Sequence, residues 1–310
     1  MTPRVGCGNG GYRPDMYTAS WRDVVRRDLF GRRPGRGDGP YRLVIRVTLL
    51  VFRLLRLRFD VRGSEHVPTA GGAVICSNHV SYLDFTFLGL AALPQHRLVR
   101  FMAKISVFKH GVSGPLMRAM HHIPVDRKAG AASFDLAVRA LKDGEVVGVF
   151  PEATISSSFR IKELKAGAAR MAINAGVPVI PAAVWGGQRV FTKHHPMNLQ
   201  RGVAVTVVLG DPIHPEPGEE HRRLLQRIRT ALEELLDEAQ RTYPQQPAGP
   251  DDLWWQPAHL GGTAPTPEEA TRLDHSDVRG TRPKPSPLAR VRTLVHRHPF
   301  RRATRRPPAP

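Results

Sequence analysis

Cys76-Ser77-Asn78-His79-Val80-Ser81-Tyr82-Leu83-Asp84-Phe85 is the stretch on which the fold turns. The apolar run Ala73 to Cys76 leads into it and reads as a buried strand. A helical pattern follows, with Leu83, Phe87, Leu88 and Ala91 on one side. His79 therefore falls at a strand-to-helix turn, where α/β folds gather reactive groups. On one continuous helix, His79 and Asp84 would be rotated by about 140° and would not meet. They meet if His79 lies in the turn and Asp84 in the first helical turn. A carboxylate on one ring nitrogen then fixes the tautomer and leaves the other nitrogen as a base. Ser81-x-x-Asp84 also fits a capping-box variant, with the carboxylate at a helix N-terminus. The two readings are compatible.

Working outward, the chain reads as a succession of strands and helices. Leu98 to Lys104 reads as a strand ending in a lysine, and Gly111 to Met120 as a short helix. His121 to Arg127 reads as extended. Adjacent histidines on a strand point to opposite sides, so His121 and His122 make no chelating pair. Ala131 to Lys142 is a helix closed by Gly144. Glu145 to Phe150 is a strand running into Pro151-Glu152-Ala153-Thr154-Ile155-Ser156. A glutamate just after a buried strand sits at the functional edge of an α/β sheet; a salt bridge or a cap explains it equally well. Lys162 to Ala175 reads as a helix, Val179 to Trp185 and Val203 to Leu209 as strands, and Glu220 to Tyr243 as an amphipathic helix. Lys193, His194 and His195 read as a solvated polar loop. No P-loop, nucleophile elbow or zinc spacing occurs. Cys7 and Cys76, the two cysteines, cannot form a metal site alone, and Cys76 reads as a reduced core residue.

The formal charge of +19 is uneven. Residues 1–58 carry 13 basic against 4 acidic residues, 59–243 carry 22 against 17, and 244–310 carry 11 against 6. Basic ends around a mildly basic middle suit a polyanionic surface. Residues 1–40 read as a flexible basic leader, with a short helix over Met16 to Phe30 and no apolar core of a signal peptide. Within 41–58, YRLVIRVTLLVFRLLRLR, Arg42, Arg46, Arg53 and Arg56 fall within about 80° of one another. Apolar residues fill most of the remaining circumference. That profile predicts an amphipathic helix lying in a membrane interface; the alternative is a helix packed on its own domain. Residues 59–243 form the main domain. From 244 to 310, 13 of the 28 prolines predict a disordered Pro/Arg-rich tail. There the pair Trp254-Trp255 would dock on headgroups or on the domain. No apolar run is long enough to span a bilayer.

Four segments in order carry a resemblance: Asn78-His79-x4-Asp84, Ile123-Pro124-Val125-Asp126-Arg127, Phe150-Pro151-Glu152-Ala153-Thr154 and Val177-Pro178-Val179-Ile180-Pro181. Over about residues 60–215 the chain resembles the glycerolipid acyltransferase family. The resemblance implies an α/β domain with a mixed central sheet flanked by helices. It also implies transfer of a fatty acyl group from acyl-CoA or acyl-carrier protein to a lysophospholipid hydroxyl. The implied acceptor is 1-acylglycerol-3-phosphate and the product phosphatidic acid. No cofactor or metal is implied. His79 would be the base and Asp84 its orienter. Arg127, with Lys104, would hold the acceptor phosphate. Glu152 would bond the acceptor glycerol or support the pocket, and Asn78, Ala153 and Thr154 complete the substrate-binding set, with Asn78 shaping the turn. Amides at the start of the helix after His79 are candidate oxyanion donors. The third motif departs from the family, which normally has Gly-Thr-Arg where this chain has Ala153-Thr154-Ile155, so one expected phosphate cation is missing. The implied location is the cytoplasmic face of the plasma membrane, peripheral or monotopic, on anionic lipid. Two rivals are an acyltransferase for another acceptor (a glycolipid, glycerol phosphate or lyso-aminolipid) and a non-catalytic protein binding membrane or nucleic acid. Few aromatics interleave the arginines, which disfavours nucleic acid.

Overall fold

The structure, a computed structural model, describes residues 38–126 and 130–278. The expected helix over Met16 to Phe30 and the candidate phosphate ligand Arg127 lie outside the described residues. Seven strands form one sheet: β1 Arg58–Arg62, β2 Ala73–Ser77, β3 Val99–Lys104, β4 Ile123–Val125, β5 Val146–Val149, β6 Val179–Trp185 and β7 Ala204–Leu209. Their order is β1-β7-β6-β2-β5-β3-β4. All neighbours run parallel except β6 and β7. The sheet is therefore mixed, and β2 through β6 all end at one edge. Loops that are remote in sequence converge there, which is how α/β sheets assemble sites.

β2 is buried at all five positions because helices cover both faces of the sheet. Ala73 and Ile75 join the helix Asp84–Ala91 and the helix Gly39–Leu54 in one core. Val74 and Cys76 join the helices Gly130–Lys142, Gly167–Ala175 and His221–Arg241 in the other. Alternation along a strand thus appears as one continuous apolar run in sequence.

Several boundaries differ from expectation for stated reasons. β1 is an edge strand whose alternating charges concealed it. The expected helix from Lys162 begins only at Gly167, because the Lys162 N–H is bonded to Glu152 and the Lys165 N–H to the Pro151 carbonyl. The first described helix ends at Leu54, not Arg58. Arg56 lies beyond it with φ of 51°, so the arginine stripe reduces to Arg42, Arg46 and Arg53. That helix does pack on its own domain, through Tyr41, Ile45 and Phe52. It nevertheless leaves Leu43, Val47, Leu50, Val51 and Leu54 exposed. At 100° per residue these fill about 80–180° from Arg42, while the buried residues sit at about 260–300°. The helix has three sectors: one docked, one apolar and outward, one cationic.

The segment after Pro244, expected to be disordered, is ordered through its first part. Pro250–Trp255 forms a 3-10 turn, and Trp255 is 2% exposed in a core with Trp185 and Tyr243. Large aromatic burial overrides the local proline content. From Glu268 a second unit begins, whose described residues, 268–278, lie in the helix Pro267–Val278, with Glu268 and Glu269 in its first turn.

Candidate active site

Three loops meet at the C-terminal edge of the sheet: 78–84 after β2, 150–162 after β5 and 186–195 after β6. In the first, Asp84 opens the helix Asp84–Ala91 and its side chain turns back. Its Oδ2 accepts the Val80 and Ser81 N–H groups, both at 2.7 Å, and stands 2.9 Å from His79 Nδ1. An oxygen already accepting two N–H bonds makes Nδ1 the donor, so the proton sits on Nδ1 and Nε2 remains for a substrate proton. Asp84 is fully buried. Burial pushes its carboxyl above the ordinary value, while His79 and the two amides pull it back. The capping role and the orienting role are thus one arrangement. The amides of the turn are already paired: Val80 and Ser81 bond Asp84, Tyr82 bonds the Phe191 carbonyl, and Leu83 bonds Ser81 Oγ.

The second loop braces the first. Glu152 Oε1 accepts the His79 N–H at 2.9 Å, and Oε2 accepts the Lys162 N–H at 3.1 Å. The Ser156 N–H bonds the His79 carbonyl at 2.7 Å. Burial pushes the Glu152 carboxyl up to about 8, with the two N–H bonds and the Lys162 charge opposing. The Phe150 ring stacks on the His79 imidazole, centroids 4.3 Å apart and planes 19° from parallel. Ala153 adopts φ of 57°, a left-handed conformation that the family's glycine adopts without strain.

The third loop closes over both. Thr192 Oγ1 donates to the Val80 carbonyl at 2.6 Å, and Ser81 Oγ to the Phe191 carbonyl at 2.7 Å. Gly187 permits this approach, since a Cβ there would stand 2.9 Å from Phe87 and 3.0 Å from Ser81. Lys193 Nζ donates to Thr154 Oγ1 at 2.7 Å. His195 stacks on Trp254 at 3.9 Å between centroids, and burial lowers its pKa. Lys193 and His195 are therefore half-buried parts of the site, not a solvated loop.

Of the expected residues, His79, Asp84, Glu152, Ala153 and Thr154 are brought together. Glu152 bonds the backbone of the 78–84 loop, as the supporting reading expects. Asn78 is 1% exposed, and its side-chain amide exchanges two hydrogen bonds with the Val184 backbone. It extends the β2–β6 ladder, and its amide is taken up by backbone, which fits the turn-shaping role. Lys104 is exposed at the end of β3, on the same edge. His122 Nδ1 accepts the Phe101 N–H, and among the described residues no metal-binding cluster occurs. Phe150 and Lys193 are the residues that sequence reasoning missed. The aromatic before Pro151-Glu152 was the available signal for the first.

Residues 58–185 match the family model described as Acyltransferase. The 1-acyl-sn-glycerol-3-phosphate acyltransferase of Bacillus subtilis (strain 168) is 32% identical over 170 residues, covering 54% of this chain and 79% of that protein. A chloroplastic 1-acyl-sn-glycerol-3-phosphate acyltransferase of Arabidopsis thaliana is 30% identical over 185 residues, covering 58% of this chain and 49% of that protein. The crystal structure of the 1-acyl-sn-glycerophosphate acyltransferase PlsC from Thermotoga maritima superposes with a TM-score of 0.57 at 20% identity. It covers 72% of this chain and 90% of its own, a likeness of fold.

Proposed function

This chain belongs to the acyltransferase family, as an O-acyltransferase of the 1-acylglycerol-3-phosphate type, and from that premise we propose that it makes phosphatidic acid by acylating 1-acylglycerol-3-phosphate. The observation that carries this reading is the His79–Asp84 pair at the convergent edge of the sheet. The acyl donor is a thioester, already activated, so no covalent enzyme intermediate is required. His79 Nε2 takes the proton of the acceptor hydroxyl as its oxygen attacks the thioester carbonyl. The Asp84 carboxylate stabilises the resulting imidazolium. Collapse of the tetrahedral species breaks the C–S bond, and the proton passes from His79 to the leaving thiolate. Phe150, stacked beneath the ring, and Glu152, bonded to the His79 N–H, restrict where Nε2 can point. Arg127 and Lys104 bind the acceptor phosphate in this reading. Arginine suits such a group through its paired donors.

The reaction takes place at a lipid surface, on the cytoplasmic face of the plasma membrane. Among the described residues no helix is long and apolar enough to cross a bilayer. The outward apolar sector of the helix Gly39–Leu54 and its neighbouring arginines support interfacial binding to anionic lipid. A second reading, a different lyso-lipid acceptor, draws on Ile155 standing where the family has arginine. The test is acyl transfer by purified protein over a panel of lyso-lipid acceptors, with acyl-CoA and acyl-carrier protein as donors. Phosphatidic acid should be the dominant product, and His79→Ala should lower turnover by at least about 10²-fold, the scale of a lost general base. Preference for an uncharged acceptor would overturn the acceptor, and near-native turnover of the variant would overturn the mechanism.

A further inference from the structure

A phosphate-bearing acceptor needs cations at the site, and the third motif does not supply its own. Ile155 occupies the position of the family's arginine and is 3% exposed, so its side chain belongs to the interior. The structure offers a replacement from another loop. Lys193 follows β6, 39 residues away in sequence, and its ammonium is bonded to the hydroxyl of Thr154, the residue next to Ile155. Two contacts anchor the segments that bear these side chains. On one side, Thr154 is two residues from Ser156, whose N–H is bonded to the His79 carbonyl. On the other, Lys193 follows Thr192, whose hydroxyl is bonded to the carbonyl of Val80, the residue after His79. Lys193 thus joins two loops that each bond the backbone of the loop bearing His79.

We infer that Lys193 is an anion-binding residue of the acceptor site, taking the phosphate monoester in place of the missing arginine. This inference rests on the acceptor reading above. A lysine does this as a point charge, so it fits a phosphate approaching from several directions. The loop is held for the purpose: Arg189 lies over the Trp255 ring at 4.4 Å and pairs with Asp252 at 3.6 Å, and His195 stacks on Trp254. A coenzyme A donor also carries phosphate, so the test must separate acceptor from donor.

Lys193→Gln keeps a donor for Thr154 and removes the charge; Lys193→Arg keeps the charge. With acyl-CoA and 1-acylglycerol-3-phosphate as substrates, Lys193→Gln should raise the acceptor KM about tenfold or more, the scale of one charged hydrogen bond. The donor KM should be unchanged. Lys193→Arg should hold the acceptor KM near native, and glycerol 3-phosphate should inhibit Lys193→Gln more weakly than the native enzyme. A rise in the donor KM alone, an equal rise in both, or loss of acceptor affinity in a folded Lys193→Arg would overturn the role of Lys193 and leave the acceptor reading standing. A native enzyme that ignores phosphate-bearing acceptors would overturn both.

Discussion

At the residue scale, Glu152 shows how one side chain ties two loops and what that arrangement implies for pH. Its carboxyl moves from an ordinary 4.5 to about 8 through burial. The native state therefore holds a proton that the unfolded chain releases. Its contribution to stability is fully present below about 4.5 and is lost as pH rises to about 8. The native melting temperature should fall across that window, and Glu152→Gln, which cannot titrate, should show a shallower fall. An unchanged slope in the variant would assign the dependence to other groups. Glu152, His79 and Asp84 were legible in the sequence because each sits immediately after an apolar run or within a short fixed spacing. The role of Glu152 was open, since its partners are amides 73 residues before and 10 residues after it. Lys193 was illegible for the same reason: nothing in Thr192-Lys193-His194 announces a contact with Thr154.

At the scale of elements, the helix Gly39–Leu54 divides its circumference into a docked sector, an outward apolar sector and a cationic one. The exposed arginines 46 and 53 lie off the docked sector, so Arg46→Glu with Arg53→Glu changes the stripe by four charges without touching Tyr41, Ile45 or Phe52. Each arginine near an anionic surface contributes on the order of 1 kcal/mol, and salt screens it. The double variant should bind anionic liposomes at least about tenfold more weakly in flotation. It should keep its melting temperature and its activity on a short, water-soluble acceptor. Flotation equal to native across salt concentrations would remove the stripe from the membrane contact. Periodicity revealed this helix but not which apolar residues face inward, because both apolar sectors look alike until β1 and the helix Asp84–Ala91 supply a partner. β1 itself was hidden: Arg58-Phe59-Asp60-Val61-Arg62 reads as polar, and only its parallel pairing with β7 makes it a strand.

At the scale of the whole domain through Pro267, the segment bearing Trp255 acts as a strap across the loop after β6. Trp255 packs on Tyr243 at 5.6 Å between ring centroids, and Gln188 Nε2 donates to its carbonyl at 3.3 Å. Trp255→Ala should destabilise the domain by about 3–5 kcal/mol and lower activity on every acceptor alike. A melting temperature within a degree or two of native would return this segment to the status of a tail. Composition could not reveal the strap, since prolines count toward disorder wherever they stand while one buried tryptophan reverses the balance. The pairing of β1 with β7 has a consequence in the order of synthesis. Arg58 must wait for Ala204, and Arg62 for Val208, before either has its ladder partner. At ribosomal speeds that wait is on the order of ten seconds, far longer than a helix needs to form. The docked sector of the helix Gly39–Leu54 waits less, since its partners Phe59, Phe87 and Val99 are all made before β7, so the helix can be covered on that side while the sheet is still open.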